Sequence, residues 1–302
     1  MSIIWKCIDE NSILNIVKKI LNEEIFSFFA FQFTDDGEGE IFEKEVFKVV
    51  VNDTIFILKK SNEIEKNIYV KYFDNMNFNV PIYYGCFEDW ILLEYVSGCD
   101  LRIVNDEIAI KSAESIGSIL SYYFNHQSER KRFNNYINRV NKRYISLHNE
   151  PLLKEAYELF LKRQLECPLS LCNGDFLQYN GIFDDENVVI IDWGFGGFLP
   201  YSIDIGRFIA HVREDIPNDR FPFQMNRENC IKYVNTIYGY LKDKISYEQY
   251  IIDIKLSLLN EYVEFLEYYF NNEDVYKDEF FEHYYNKATL IAREILNKKT
   301  GI

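Results

Sequence analysis

The chain is short of positive charge, of proline and glycine, of paired cysteines and of long apolar runs. Each shortage closes off a class of function. Only 33 lysines and arginines stand against 48 aspartates and glutamates, a formal charge of −15. A nucleic-acid binder needs a basic stripe for the phosphates, so no nucleic-acid partner is expected. The acid excess suits a cationic small partner and equally serves solubility. Six cysteines (Cys7, Cys86, Cys99, Cys167, Cys172 and Cys230) are scattered without a Cys-x-x-Cys pair. That argues against a zinc site or a disulfide framework and fits reduced thiols in a cytoplasm. No stretch reaches the ~18 apolar residues of a membrane-spanning helix, and Met-Ser-Ile-Ile-Trp-Lys is no basic-then-apolar leader. A cytoplasmic protein with no membrane partner is expected. Six prolines and 13 glycines are dispersed, so no flexible linker interrupts the chain.

What is present divides in two. At 302 residues the chain can form one large domain or two modest ones. After an opening helix near Ile13–Leu21, aromatic and β-branched residues predict strands over Phe28–Thr34, Val46–Val51 and Thr54–Lys59. Asp35-Asp36-Gly37 and Asn52-Asp53 supply turn chemistry between them. A helix over 62–73 follows, then a hairpin of Ile82–Phe87 and Trp90–Tyr95 across Glu88-Asp89. Five antiparallel strands with one helix after the third make a first lobe. From Asp106 onward the spacing turns helical, over 108–126, 129–147 and a long stretch capped by Ser246 with Gln249. The exception is 171–193, where Ile182-Phe183 and Val188–Ile191 flank an Asp-Asp-Glu-Asn turn and read as a small hairpin. The class is α+β, with a hinge near residue 96.

The chemistry is concentrated around that hairpin. Asn173-Gly174-Asp175-Phe176-Leu177-Gln178-Tyr179-Asn180 leads into it, and Ile190-Ile191-Asp192-Trp193 leaves it. Closing a hairpin brings its ends together, so Asp175, Asn180 and Asp192 can converge. Magnesium wants hard oxygen ligands, commonly one or two side chains plus phosphates and waters. Phosphoryl transfer needs in addition a group that orients the attacking hydroxyl and accepts its proton.

These residues resemble the aminoglycoside phosphotransferase and choline kinase family, which carries His-Gly-Asp-x-x-x-x-Asn, a hairpin, Ile-Asp-Trp, then a Pro and an Asp at a helix start. This chain reads Asn173-Gly174-Asp175, Asn180, Ile191-Asp192-Trp193, Pro200 and Asp204. The resemblance implies a two-lobed protein-kinase-like fold, with a nucleotide-binding lobe over 1–95 and a helical catalytic and substrate-binding lobe over 96–302. It implies ATP or GTP as donor, Mg2+ as metal, and a small hydroxyl-bearing acceptor, a cationic one among the options. Asp175 would be the base, Asn180 and Asp192 the metal ligands, Asn173 the residue in the place of the family's His, and Asp204 a brace for the loop. The chain departs from the family at Asn173 and at Gly194, where an acid is common. The departure at Asn173 keeps a second reading open, a kinase-like protein without transfer activity.

A lysine for the phosphates and a helix acid to pin it should lie in the first lobe. Phe56-Ile57-Leu58-Lys59-Lys60 ends the third strand, and alternation favours Lys59 over Lys60. Glu65 is preferred to Glu63, since Glu65-Lys66-Asn67-Ile68-Tyr69 resembles the family's Glu-x-x-x-Tyr. By the same resemblance, Glu94, Tyr95 and Val96 would meet the adenine through their backbone. Asp36-Gly37-Glu38-Gly39-Glu40 is too acidic for a good phosphate loop. For the acceptor, Asp253, Glu261, Glu264 and Glu267 run along the long helix, either as a solvated face or as a greeting for cations. Trp193, Phe195 and Phe198 either form a cation–π surface or pack the core. No histidine has a metal-like or catalytic spacing.

Overall fold

The computed structural model describes residues 4–8, 11–37, 40–126, 130–272 and 274–297. They form two compact units, Met1–Gly98 with Ile191–Phe195, and Cys99–Ile190 with Gly196–Ile302.

The first unit runs β1 (Ile4–Ile8), α1 (Asn11–Leu21), β2 (Phe28–Gly37), β3 (Glu40–Val51), β4 (Thr54–Lys60), α2 (Glu63–Ile68), β5 (Tyr83–Phe87) and β6 (Trp90–Glu94). Its six strands make one antiparallel sheet in the order β1-β2-β3-β4-β6-β5. Alternation decides the faces: Phe47, Val49 and Val51 of β3 and Phe56 and Leu58 of β4 are buried with Ile13 and Val17 of α1. Each such side chain contributes about 1.5–3 kcal/mol of apolar burial. Asn52 and Asp53 both adopt positive φ, 47° and 67°, the signature of a type I′ hairpin turn. The Asn52 carboxamide also accepts from Phe26 N–H at 2.9 Å.

Three expectations need correction here. The sheet has six strands, not five, because Ile4–Ile8 pairs with Ala30–Thr34. The β2–β3 connection does not turn at Asp35-Asp36-Gly37: the ladder continues through Asp35↔Phe42 to Gly37↔Glu40. Backbone pairing outweighs the turn preference of those side chains. Glu38 and Gly39 of the acidic glycine segment lie outside the described residues. The predicted 62–73 helix changes at Tyr69 into a π-helical turn ending at Phe73.

The second unit contains β7 (Cys99–Asp100), β8 (Ile103–Val104), α3 (Asp106–Tyr122), α4 (Lys131–Ser146), α5 (Pro151–Glu166), β9 (Leu169–Cys172), β10 (Gly181–Phe183), β11 (Val188–Ile190), β12 (Gly197–Pro200), α6 (Ile203–Ala210), β13 (Val212–Arg213), β14 (Phe223–Met225), α7 (Arg227–Leu241), α8 (Tyr247–Asn271) and α9 (Glu279–Leu296). The expected hairpin is β10–β11, with Gly181 opposite Ile190 and β7 added on its outer edge. Its turn is an Asx turn, Asp184 Oδ1 accepting from Glu186 N–H at 3.0 Å and also from Asn187 N–H at 2.7 Å. Two small sheets were not anticipated, β9 with β12 and the order β13-β14-β8.

The long helix α8 starts at the expected cap, Ser246 Oγ accepting from Gln249 N–H. Its environment differs from the amphipathic reading. Helices α4, α5, α6 and α9 all pack against it, so it has almost no solvent face along its middle. Asp253 and Glu261 are 1% and 3% exposed, and a buried carboxylate must be paired. Arg163 of α5 forks onto Asp253 at 2.7 and 2.9 Å. Arg207 of α6 reaches Glu261 at 2.7 Å, and Arg143 of α4 reaches Glu264 at 2.5 Å and Glu267 at 3.6 Å. Asp253 and Glu261 therefore belong to an internal seam and not to a solvated face, while Glu264 and Glu267, about a third exposed, lie at its edge. Three arginines from three helices hold the row together.

Lys287 of α9 is partly buried in the same unit and donates toward Ala210 O and Val212 O at 3.4 and 3.3 Å. Burial, with Arg213 adding to it and Cys230 opposing, pushes its ammonium down to about 8. The folded protein thus releases this proton near pH 8, and the unfolded chain near its ordinary 10.5. The unfolded state binds more protons between those values, so stability rises with pH across that window, by up to about 3 kcal/mol. The Tm of Lys287→Met is expected to lack this rise when both proteins are melted from pH 8 to 10.5. Parallel curves would remove the assignment.

Among the described residues no helix is long and apolar enough to cross a membrane. All six cysteines are free thiols, with Cys167 and Cys172 buried.

Candidate active site

In the first unit the residues expected to handle phosphate do come together. Lys59 lies on the face of β4 opposite Leu58 and Phe56, and there it meets α2. Its Nζ is 3.1 Å from Glu65 Oε1 and 2.9 Å from Asp192 Oδ1. Burial alone would lower the Lys59 pKa, but Glu65 and Asp192 outweigh it and hold it above the usual value. Lys60 points the other way and pairs with exposed Glu45 at 2.8 Å, and Glu63 pairs with Lys66 at the surface. Geometry thus separates Lys59 from Lys60 and Glu65 from Glu63.

Glu65 is 1% exposed and its carboxylate is held by three donors. Besides Lys59, Ser61 Oγ donates to Oε2 at 2.8 Å and Trp193 N–H to Oε1 at 3.2 Å. Asn62 caps α2 by accepting from Glu65 N–H at 3.0 Å, and its Nδ2 donates to Gly194 O at 2.9 Å. The cap thus fixes both the start of α2 and the segment carrying Asp192. Ser61 and Asn62 were missed by sequence reasoning, although Asn-x-x-Glu before an apolar helix is a capping signature. Asp192 has φ +55°, a conformation costing a non-glycine residue about 1 kcal/mol or more, of the kind that concentrates at functional sites. Trp193 is fully buried, edge-on to Phe73 at 4.6 Å, so it is core and not a cation–π surface. Phe195 is half exposed. Beyond them, Glu94 ends β6 and accepts from Ile82 N–H through Oε2 at 3.1 Å, and Tyr95 and Val96 follow outside any strand or helix.

In the second unit the loop after β9 is built around Asp204, near the N-terminus of α6. Asp204 is fully buried and accepts from Asn173 N–H at 2.6 Å and Gly174 N–H at 2.8 Å, one on each oxygen. Burial raises its carboxyl to about 7 against the pull of those two N–H groups and Arg207. Gly174 turns the loop with φ +77°, a region natural to glycine. Asn173 Oδ1 accepts from Asp175 N–H at 3.1 Å, so this carboxamide steadies the loop. Asn180 Nδ2 donates to Asp175 O at 2.6 Å and to Asp175 Oδ2 at 3.2 Å. With its amide nitrogen committed to the loop, Asn180 presents its amide oxygen, the atom a hard cation binds. Asp175 Oδ1 is engaged by Arg207, which the sequence reading passed over. Its signal was positional: Arg207 follows Asp204 by one helical turn, so both reach the same loop. Phe198 is buried against Tyr123 and His126 and belongs to the core.

Among the described residues no three His, Cys, Asp or Glu side chains gather as a metal cluster. Asn180 in the second unit and Asp192 in the first each carry a hard oxygen donor of the kind magnesium takes.

No protein-family model matches the sequence, and no curated protein is similar to it in sequence. The fold is shared with solved structures. A choline kinase from Cryptosporidium parvum superposes with a TM-score of 0.59 at 12% identity, over 90% of this chain and 91% of that one. Aminoglycoside 2'-phosphotransferase-IIIa, in its GDP complex, gives 0.51 at 14% over 94% and 99%. An amicoumacin kinase in complex with AMP-PNP and Ca2+ gives 0.56 at 10% over 96% and 94%. At these identities the likeness is one of architecture. The chain has the protein-kinase-like fold, an antiparallel-sheet lobe and a larger helical lobe.

Proposed function

We propose that the protein is a metal-dependent small-molecule kinase that moves the γ-phosphoryl group of ATP or GTP to a hydroxyl of a small acceptor, and that it works in the cytoplasm. The observation that carries the reading is the buried pair of Lys59 and Glu65. A fixed ammonium at a strand end, pinned by a helix carboxylate, is what a kinase uses against nucleotide phosphates. Residues 1–95 form the nucleotide lobe in this reading, with Glu94, Tyr95 and Val96 against the base, and 96–302 the catalytic and acceptor lobe. Asn180 and Asp192 hold Mg2+, which when bound neutralises charge on the phosphates. Asp175 orients the acceptor hydroxyl and takes its proton as the new O–P bond forms and the bond to the leaving nucleoside diphosphate breaks. Asn173 keeps the loop in shape through its bond to Asp175 N–H.

The neighbours bearing kinase names suggest the first acceptors to try. Wild type is to be incubated with MgATP or MgGTP and choline, ethanolamine, an aminoglycoside or amicoumacin, and formation of nucleoside diphosphate followed. Turnover with at least one acceptor, lost on chelation with EDTA and reduced about 100-fold or more in Lys59→Met, is the expected result. The substitution Asn173, where the family has His, favours a second reading as a nucleotide-binding protein without transfer. Tight nucleotide binding with no turnover, and transfer gained in Asn173→His, would select that reading instead.

A further inference from the structure

One helix reaches the catalytic loop twice. Asp204 of α6 takes the backbone N–H groups of Asn173 and Gly174. One turn later, Arg207 takes the side chain of Asp175, with Nε 2.8 Å and a terminal nitrogen 2.6 Å from Oδ1. The guanidinium does not float. Its other terminal nitrogen lies 2.7 Å from Glu261 Oε2 and 3.6 Å from Glu264 Oε2 on α8. Glu261 is buried, with His211 Nε2 3.5 Å away and His211 Nδ1 meeting Tyr284 OH at 3.0 Å. The two helices approach closely where this happens. A Cβ on Gly206 would stand 2.6 Å from Ser257 Cβ, and Ser202 and Ser257 share a hydrogen bond of 2.8 Å. Glu261 is one turn beyond Ser257, so the close approach delivers its carboxylate to the residue after Gly206.

We infer that Arg207 is a positioning residue for Asp175, fixing which carboxylate oxygen faces the acceptor hydroxyl, with Glu261 as the anchor that fixes Arg207. The inference rests on the reading of Asp175 as the base. Two N–H groups occupy Oδ1 and share a planar fork with Glu261, so rotation of the carboxylate would break charge-assisted bonds. Oδ2, touched by Asn180 Nδ2 at 3.2 Å, is left as the oxygen that receives the acceptor's proton. A lysine could supply the charge but not the fork, because its ammonium is a point donor.

The test compares wild type, Arg207→Ala, Arg207→Lys and Asp175→Asn in MgATP turnover with the acceptor found active, and in acceptor-free hydrolysis. Arg207→Ala is expected to lower kcat about 100-fold with the acceptor KM within about threefold of wild type, the mark of a group acting in the transition state. Millimolar methylguanidinium is expected to restore a tenfold or greater part of that loss, roughly as a missing hydrogen-bonding cation would, and to do nothing for Asp175→Asn. Should Arg207→Ala fail to fold, Arg207→Lys, checked by thermal melting, decides: at least a tenfold fall in kcat is expected because one contact of the fork is lost. Unchanged kcat in a folded Arg207 variant, or a loss that methylguanidinium leaves untouched, would overturn the inference. An active Asp175→Asn, or a silent wild type, would instead overturn the functional reading beneath it.

Discussion

Asp175→Asn is expected to abolish nearly all transfer, lowering kcat by about three orders of magnitude, while the protein remains folded. The carboxamide matches the carboxylate in shape and can still accept from Arg207 through one oxygen, so the loop keeps its outline. What it cannot do is take a proton from the acceptor hydroxyl. Stability should change little, by about 1–2 kcal/mol, because Arg207 retains Glu261 at 2.7 Å when its partner at Asp175 loses charge. Steady-state turnover and a thermal melt on the same preparation check both halves. A variant with full kcat would remove Asp175 from the proton path, and one that unfolds would make its role structural.

Glu261→Gln is expected to cost the fold about 3 kcal/mol at neutral pH, the usual penalty for breaking a buried ion pair from one side. Burial would raise the Glu261 carboxyl, but Arg207, His211 and Arg143 outweigh it and hold it down to about 2. The ordinary value of 4.5 is taken for the unfolded chain. A depressed carboxylate pKa contributes stability that is present above 4.5 and lost as pH falls toward 2. The size follows from the shift, about 3 kcal/mol. Glu264 works in the opposite sense, since burial and the charge of Glu261 raise its pKa, so it takes up a proton first on acidification. Urea unfolding of wild type and variant from pH 6 to 2 tests this: the wild-type curve should fall toward the variant's and meet it near the acid end. A constant gap down to pH 2 would place the stabilisation elsewhere.

Both effects turn on residues whose meaning the sequence conveyed unequally. The loop from Asn173 to Asn180, the hairpin after it and the lysine of β4 were legible because each rests on local rules. Turn chemistry, alternation and motif spacing act over a few residues, and alternation alone put Lys59 on the face opposite Leu58. The acids of α8 were misjudged for the converse reason. Asp253 and Glu261 look solvated in any window centred on their own helix, and only Arg163 and Arg207, 90 and 54 residues away in the chain, show that they are buried. The first strand was hidden similarly: Ile4–Ile8 has little to distinguish it until Ala30–Thr34 offers an edge. Arg207 sat in plain view one turn after Asp204. Its significance needed the three-dimensional fact that α6 reaches the loop carrying Asp175 with both Asp204 and Arg207.

The small segment Ile191–Phe195, which leaves the helical unit's hairpin and joins the sheet unit, bears on how the protein is made. A nascent chain released to residue 98 already carries the whole six-stranded sheet, but not Trp193, which buries against Phe73 and donates its N–H to Glu65. Roughly a hundred more residues must emerge, about 5–20 s at ordinary elongation rates, before that gap is filled. During this interval Glu65 has one donor fewer and Phe73 one neighbour fewer. The amino-terminal unit therefore finishes maturing only once the hairpin of its successor has been synthesised, so translation order ties completion of the Lys59–Glu65 pair to arrival of the aspartate two residues past that hairpin.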